Sequence, residues 1–200
     1  MIHFDEATHT YTDGNGVVLP SVTQILAPLT CLDDIPKAVL ERKARLGTAV
    51  HSATELFDMD DLDDSCLHPE VAPYVDGWKR FREDTGFAPT LIERRVHHRL
   101  LGYAGTLDRI GTMGPTAVLL DIKTSATLYP SYGPQLWAYQ EALKCDPDYT
   151  GPTELQKHCL QLTPDGKYKL SPQYNDPADW RVFVALLTVR NWRMKHGLSS

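Results

Sequence analysis

The residues with the clearest potential for chemistry are an aspartate and a lysine at the end of a very hydrophobic run. The run AVLLDI, residues 117–122, contains Asp121, and Lys123 follows it directly. Because side chains alternate along a strand, Asp121 and Lys123 point to one face and Ile122 points to the other. A buried strand rarely carries an acid and a base side by side unless both are used or paired. Taken alone, the pattern also fits a salt bridge at a strand end.

A second carboxylate, Asp108, gives this pair a chemical context. Asp108 lies in GTLDRI on the preceding predicted strand, and a hairpin through residues 111–115 would bring it beside Asp121. Two converging carboxylates repel each other and raise each other's pKa unless a cation lies between them. Oxygen ligands of this kind suit Mg²⁺ or Mn²⁺, which offset charge on a phosphate. Lys123 would then orient the nucleophile or stabilise the transition state.

The elements that must position these residues can be predicted along the chain. An N-terminal hairpin, at about residues 1–20, is indicated by the alternation in THTYT and by the turn-forming DGNG. Ser21 and Gln24 fit a capping box that opens a short helix, which Pro28 should end. Period changes then predict a helix at 37–57, a helix at 70–84, a three-stranded meander at 90–125, a helix at 135–143, a hairpin at 164–166 and a final helix at about 180–195.

Two local features of this pattern leave alternatives open. Gly47 lies inside the 37–57 helical pattern, where it marks either a break between two helices or a close approach. The acidic segment DMDDLDD, residues 58–64, is predicted to be a loop. It does not match a calcium-binding EF-hand, because Asp63 and Pro69 occupy the positions that require glycine and glutamate.

Composition places the chain among soluble globular proteins. It has 200 residues, 42% of them hydrophobic and 23% charged, with no internal repeat or linker. We expect a single α/β (α+β) domain over residues 1–200, with a central mixed sheet flanked by helices. No apolar run reaches the roughly 18–20 residues of a membrane span, and the polar, acidic N-terminus is no signal peptide. A cytoplasmic protein is therefore expected.

The net charge of −6 argues against an extensive basic surface that holds DNA without help. It does not argue against a nuclease whose acidic centre is neutralised by a divalent cation. Local basic groups are present at Lys37, Arg42, Lys43 and Arg45, at Arg94, Arg95 and Arg99, and at Arg190, Arg193 and Lys195.

Four short motifs occur in order between residues 47 and 139. They are GTAVH at 47–51 with Glu55 downstream, GTLD at 105–108, DIK at 121–123 and QLWAY at 135–139. In this order the motifs resemble those of the PD-(D/E)xK nuclease superfamily, in the branch of RecB-type nuclease domains and phage recombination exonucleases. The N-terminal HTYTDGNGVVLPSVTQIL also resembles the opening of phage-encoded members. The resemblance implies a restriction-endonuclease-like core.

The resemblance also implies a set of metal ligands. His51, Asp108, Asp121 and the main-chain carbonyl of Ile122 would hold Mg²⁺ or Mn²⁺. Because His51 and Glu55 are four residues apart, a helix presents both on one face. Glu55 would ligate a second ion or hold a metal-bound water.

The remaining motif residues are expected to act on the substrate. By resemblance, Lys123 assists the nucleophile, while Gln135 and Tyr139 position Lys123 or bind the DNA backbone. Ordinary packing beside Trp137 is the alternative for Gln135 and Tyr139. Glu93, on the strand before Asp108, could also approach the site, although pairing with the neighbouring Arg94 or Arg95 is the favoured expectation.

The cysteines are expected to be free thiols. Cys31, Cys66, Cys145 and Cys159 are far apart and form no CxxC motif. Relatives with an iron–sulfur cluster place three closely spaced cysteines after the QxxxY helix, where this chain has only Cys145 and Cys159. We therefore expect no cluster.

The function implied by the resemblance is metal-dependent hydrolysis of DNA, by an exonuclease of phage or bacterial recombination or repair. DNA is then the main partner, with a single-strand annealing or recombination protein and a second copy of the chain as further candidates. The alternatives are a structure-specific or nicking endonuclease, a catalytically silent DNA-binding scaffold, and a hydrolase of another phosphoester. No GxxxxGK[ST] or GxGxxG motif supports ATP-driven action or dinucleotide binding.

Overall fold

A five-stranded sheet forms the centre of the computed structural model, which describes residues 2–6, 8–30 and 35–198. The strands, in spatial order, are β4 (Ala88–His98), β5 (Tyr103–Met113), β6 (Thr116–Lys123), β7 (Gln156–Leu162) and β8 (Tyr168–Leu170). The first three form the predicted antiparallel meander, whereas β6 and β7 are parallel, so the sheet is mixed. The turn before β6 is tighter than expected, because β5 continues to Met113.

Five helices cover the two faces of the sheet. They are α1 (Val22–Leu26), α2 (Lys37–Asp58), α3 (Ala72–Thr85), α4 (Tyr132–Lys144) and α5 (Ala178–Lys195). Leu119 packs into a core with α1, α4 and α5, whereas the adjacent Leu120 packs into a core with α2 and α3. Both residues are fully buried, which explains why β6 is apolar at successive positions. The predicted fold class, a mixed sheet flanked by helices, is confirmed.

A small N-terminal sheet lies against strands β4 and β5 of the central one. Residues 10–19, predicted as a hairpin, form β2 (Thr10–Thr12) and β3 (Val18–Leu19), and β1 (His3–Asp5) adds a third strand. The Tyr11 hydroxyl lies 2.8 Å from that of Thr106 on β5. In addition, the Ala104 N–H donates to the Pro20 carbonyl at 3.0 Å. These bonds join the N-terminal sheet to the strand that carries Asp108.

The capping box predicted for α1 is present. The Gln24 N–H donates to the Ser21 hydroxyl, and the Ser21 N–H donates to the Gln24 side chain. The α-helix ends at Leu26, before Pro28, but a 3₁₀ turn over Ala27–Leu29 continues the winding. A 3₁₀ turn tolerates Pro28 near its start, because that position needs no intrahelical N–H.

Helix α2 is continuous through Gly47, so the predicted alternative of a break is wrong. A Cβ at Gly47 would lie 3.7 Å from the Thr124 hydroxyl oxygen, which is ordinary van der Waals contact. The helix ends at Asp58, the first residue of the acidic segment that was predicted to be a loop.

Within the described part of the chain, no helix is both long enough and apolar enough to cross a bilayer. Three cysteines are free thiols there: Cys66 is exposed, Cys145 is half-buried and Cys159 is buried. Cys31 lies outside the described residues.

Candidate metal centre

Three neighbouring strands bring their acidic residues to one place in the sheet. The register of β4 against β5 places Glu93 opposite Asp108. The paired residues of β5 and β6 end at Arg109 and Leu120, one residue before Asp108 and Asp121. The carboxylates therefore lie where the two central strands begin to separate.

The alternation of side chains is interrupted at this point of β5. Leu107 and Ile110 both pack into the core formed with α4, although they are three residues apart. Between them, Asp108 and Arg109 both contact residues of α2 instead. Glu93, opposite, has a φ of +44°, in the left-handed region that a non-glycine residue enters at a cost of about 1–3 kcal/mol. The strain occurs where side chains must be redirected toward one site.

An imidazole and two carboxylates form a group that can hold a metal ion. Ligand atoms of His51, Glu93 and Asp108 all lie within 4.8 Å of one another. The His51 Nδ1 lies 3.3 Å from Glu93 Oε1 and 3.7 Å from Asp108 Oδ1. Carboxylates with one imidazole suit hard or borderline divalent cations, so the donor set fits such an ion.

The other ring nitrogen of His51 has a main-chain partner. Nε2 lies 3.2 Å from the carbonyl oxygen of Ile122, which can only accept a hydrogen bond. Nε2 must therefore carry the proton, which leaves Nδ1 as the nitrogen that can bind a cation. A metal-binding histidine is commonly oriented in this way by a carbonyl.

The ionisation of His51 and Asp108 is shifted toward proton retention, whereas that of Glu93 is shifted toward proton loss. Burial acts to lower the pKa of His51, but the carboxylates of Asp108 and Glu93 outweigh it and raise the pKa to about 9. Burial raises the pKa of Asp108 to about 7, against the attraction of His51. Burial would also raise the pKa of Glu93, yet His51 and Arg109 lower it. The protons on His51 and Asp108 thus offset the charge repulsion within the group, and a bound cation could take over this role.

A second cluster lies on the α4 side of the same strands. The Lys123 ammonium lies 2.5 Å from Asp121 Oδ2 and 4.5 Å from the ring centre of Tyr132. The Gln135 side-chain N–H donates to Asp121 Oδ1 and to the Tyr139 hydroxyl, both at 3.1 Å. Burial acts to lower the pKa of Lys123, but Asp121 and Asp108 raise it overall, so the lysine is a cation at neutral pH.

The four ligands expected from the sequence have different surroundings. His51 and Asp108 belong to the donor group, whereas Asp121 is paired with Lys123. Ile122 links the two clusters, since its N–H donates to Asp108 Oδ2 at 2.6 Å and its carbonyl faces His51. Asp108 is thus the member of the donor group that is linked, through Ile122, to the strand that carries Asp121 and Lys123.

Two glutamates, Glu55 and Glu93, were considered from the sequence as residues near the site. Glu55 lies one turn after His51 on α2, and its pKa is raised by burial and by Glu93. Glu93 was expected to pair with Arg94 or Arg95, and this is wrong. Arg94 instead binds Asp146 at 2.6 Å, while Glu93 turns toward His51. Glu93 lies opposite Asp108 because of the β4–β5 register, and no local sequence pattern predicts that register.

Two further residues support the site and were not identified from the sequence. Arg109 is fully buried, and its guanidinium donates to Glu93 Oε1 at 2.8 Å and to Asp58 Oδ2 at 2.7 Å. Asp58 also accepts from the indole of Trp78 and from Arg82. This network connects the end of α2 to the donor group. The only sequence signal is the position of Arg109 directly after Asp108.

Comparison with known proteins supports the fold. No family model matches the sequence, and no curated protein matches it. A crystal structure from Eubacterium rectale, named "Putative exonuclease", is similar with a TM-score of 0.53 and 14% sequence identity. The match covers 78% of this chain and 69% of that one. At this identity the likeness establishes a shared fold.

Proposed function

We propose that this protein is a metal-dependent DNA nuclease of the PD-(D/E)xK type. The observation that carries the proposal is the donor group of His51, Glu93 and Asp108 beside the Asp121–Lys123 pair. A cation site next to a fixed ammonium group supplies two positive charges that can stabilise the transition state of phosphodiester hydrolysis. The name of the Eubacterium rectale protein, with which the chain shares its fold, is in accord with a nuclease.

His51 Nδ1, Glu93 and Asp108 would hold the cation, with Asp121 as a further proposed ligand. The Ile122 carbonyl, which accepts from His51 Nε2, would orient the ring rather than bind this ion. We propose Mg²⁺ or Mn²⁺, because oxygen atoms predominate among these donors. When bound, such an ion offsets the negative charge of a phosphate and lowers the pKa of water. Glu55, one turn from His51, is proposed to hold a water molecule at the site.

The remaining chemistry is assigned to the α4 side. In hydrolysis, a water oxygen bonds to phosphorus and releases a proton, the bond from phosphorus to one sugar oxygen breaks, and that sugar oxygen takes up a proton. Lys123 is a cation at neutral pH, so it serves to stabilise the growing charge on the phosphate oxygens rather than to accept a proton. Gln135 and Tyr139 hold the Asp121–Lys123 pair in place.

More specifically, we propose exonuclease action in recombination or repair. The motif set and the name of the structural neighbour support this proposal. A recombination protein as partner and self-association belong to the same proposal.

The test is cleavage of end-labelled linear duplex, single-stranded DNA and covalently closed circles, each with Mg²⁺, Mn²⁺ or EDTA. We expect cleavage of linear DNA with a divalent cation and none in EDTA. Loss of closed circles would instead identify an endonuclease. Undiminished cleavage in EDTA by homogeneous protein would exclude the metal mechanism, and binding without cleavage of every substrate would identify a scaffold.

A further inference from the structure

A cleft of about 380 Å³ separates the N-terminal sheet from the metal centre. One wall contains the three donor residues, and the facing wall contains three ring-bearing residues of the N-terminal sheet. The two sets are His51, Glu93 and Asp108 on the first wall, and Phe4, His9 and Tyr11 on the second. Anything bound to the donor group therefore extends toward an aromatic surface.

The aromatic wall is a defined surface. The rings of Phe4 and Tyr11 lie 4.5 Å apart and are inclined by 32°, and the His9 ring meets Phe4 edge-on at 5.0 Å. The bond from Tyr11 to Thr106 fixes this wall to β5, two residues before Asp108. His9 is exposed and has a φ of +52°, so its ring is presented outward by an uncommon backbone conformation.

The size of the cleft limits what it can hold. Sites for small molecules usually occupy about 300–1,000 Å³, and this cleft is near the lower end of that range. This volume is of the order of the sugar and base of one nucleotide. Arg95 lies with its guanidinium 5.3 Å from the Phe4 ring centre, which places a cation beside the aromatic wall.

We infer that the cleft is a subsite for the sugar and base of one unpaired nucleotide, whose phosphate lies at the metal centre and whose base packs on Phe4 and His9. The inference rests on the proposed nuclease function and adds a substrate class, namely DNA that is single-stranded at the reacting nucleotide. Stacking of a base on an aromatic ring tolerates any sequence, since every base has a π-face. In this inference the N-terminal sheet, which carries none of the proposed catalytic residues, binds the base of the substrate.

The test is a comparison of matched single strands that contain either normal nucleotides or one abasic residue, at the 5′ end, the 3′ end or the centre. Dissociation constants are measured by fluorescence anisotropy in Ca²⁺, so that the result does not depend on cleavage. For wild type we expect removal of the base at one of these positions to weaken binding by about tenfold. Phe4→Leu and His9→Ala should each reduce that difference to about twofold or less.

Control variants make the outcome specific to the cleft. Trp192→Ala removes an exposed aromatic side chain from α5 and should leave the base dependence as in wild type. His9→Ala changes an exposed side chain, so it tests the cleft even where Phe4→Leu disturbs the N-terminal sheet.

Two results would overturn the subsite: wild-type affinity that is indifferent to the base at every position, or base dependence that survives in both cleft variants. Failure of the nuclease proposal is seen separately, in the cleavage assay. A protein that binds in a base-dependent manner and never cleaves retains the subsite and loses the nuclease function.

Discussion

At the scale of single residues, two charged groups lie at the junction of β5 and β6, one on the side of α2 and the other on the side of α4. His51 comes from α2 with Glu93 and Asp108, and Lys123 is held under α4 by Asp121. In the first group the cations are the His51 imidazole and the Arg109 guanidinium, which donates to Glu93, whereas the Lys123 ammonium is the cation of the second group. In the proposed function, the first group binds the metal ion and the second contacts the phosphate.

Lys123→Ala should lower the single-turnover cleavage rate by orders of magnitude and change DNA affinity little. A single phosphate contact is a small part of the summed electrostatic attraction, whereas a charge placed at the transition state is not. The measurements are single-turnover rates in Mg²⁺ and dissociation constants in Ca²⁺. Lys37→Ala, at an exposed position of α2, is the control. Affinity that falls in step with the rate would make Lys123 a docking residue.

The affinity for Mg²⁺ should rise with pH between about 6 and 9. His51, with a pKa of about 9, and Asp108, with a pKa of about 7, must lose their protons before both can bind a cation. Raising the pH removes this competition, and the affinity should increase by up to about tenfold per pH unit for each proton displaced. Calorimetric titrations at several pH values, repeated in buffers of different ionisation enthalpy, measure both affinity and proton release. A pH-independent affinity would contradict the assignment of these residues as ligands.

Part of the site could be predicted from sequence because helical and strand spacing are local. Asp121 and Lys123 share a face by alternation, and Gln135 and Tyr139 share one by the helical repeat. The environment of Glu93 could not be predicted, because it depends on the β4–β5 register and on a break in alternation at β5. Such a break is a property of the assembled sheet.

At the scale of elements, α2 is attached to the sheet through a buried ionic network at its end. Asp58 accepts from Arg109, Arg82 and Trp78, and its side chain is fully buried. Arg109 then reaches Glu93. The helix that supplies His51 is thus connected to a strand that supplies another proposed ligand.

Asp58→Ala should destabilise the protein by about 3–5 kcal/mol, because Arg109 would remain buried without its main charge partner. The free energy of unfolding is measured by urea denaturation. Asp61→Ala, three residues further along and exposed, is the matched control and should change stability by less than about 0.5 kcal/mol. Equal effects of the two variants would mean that the network contributes no more than a surface charge.

The elements themselves were predicted well where their patterns are long. Helices α2 and α3 and the three-stranded meander follow from hydrophobic spacing, and the α1 cap follows from Ser21 and Gln24. The alternative of a break at Gly47 was wrong because the low helix propensity of one glycine is outweighed by cooperative backbone hydrogen bonding along 22 residues. The added strand β1 was missed because three residues carry too little periodicity.

At the scale of the whole molecule, a net charge of −6 opposes binding of a polyanion. DNA affinity should therefore depend on the divalent cation, and we expect at least about tenfold tighter binding in Ca²⁺ than in EDTA. Fluorescence anisotropy with a short single strand measures this, with KCl added to equalise ionic strength. Equal affinities would mean that basic groups such as Arg95 and Arg99 suffice without the metal centre.

The left-handed backbone of Glu93 sets stability and activity against each other at one position. Glycine and asparagine adopt a φ of +44° more readily than glutamate, and both remove a half-buried carboxylate from beside Asp108, while the buried Arg109 keeps Asp58 as its charge partner. A library randomised at position 93 and selected only for heat resistance should become enriched in these two residues, whereas selection for DNA cleavage should return glutamate. Sequencing both pools would show whether the enrichments diverge. If they do, the natural residue at this position is a compromise that survives only because cleavage is under selection.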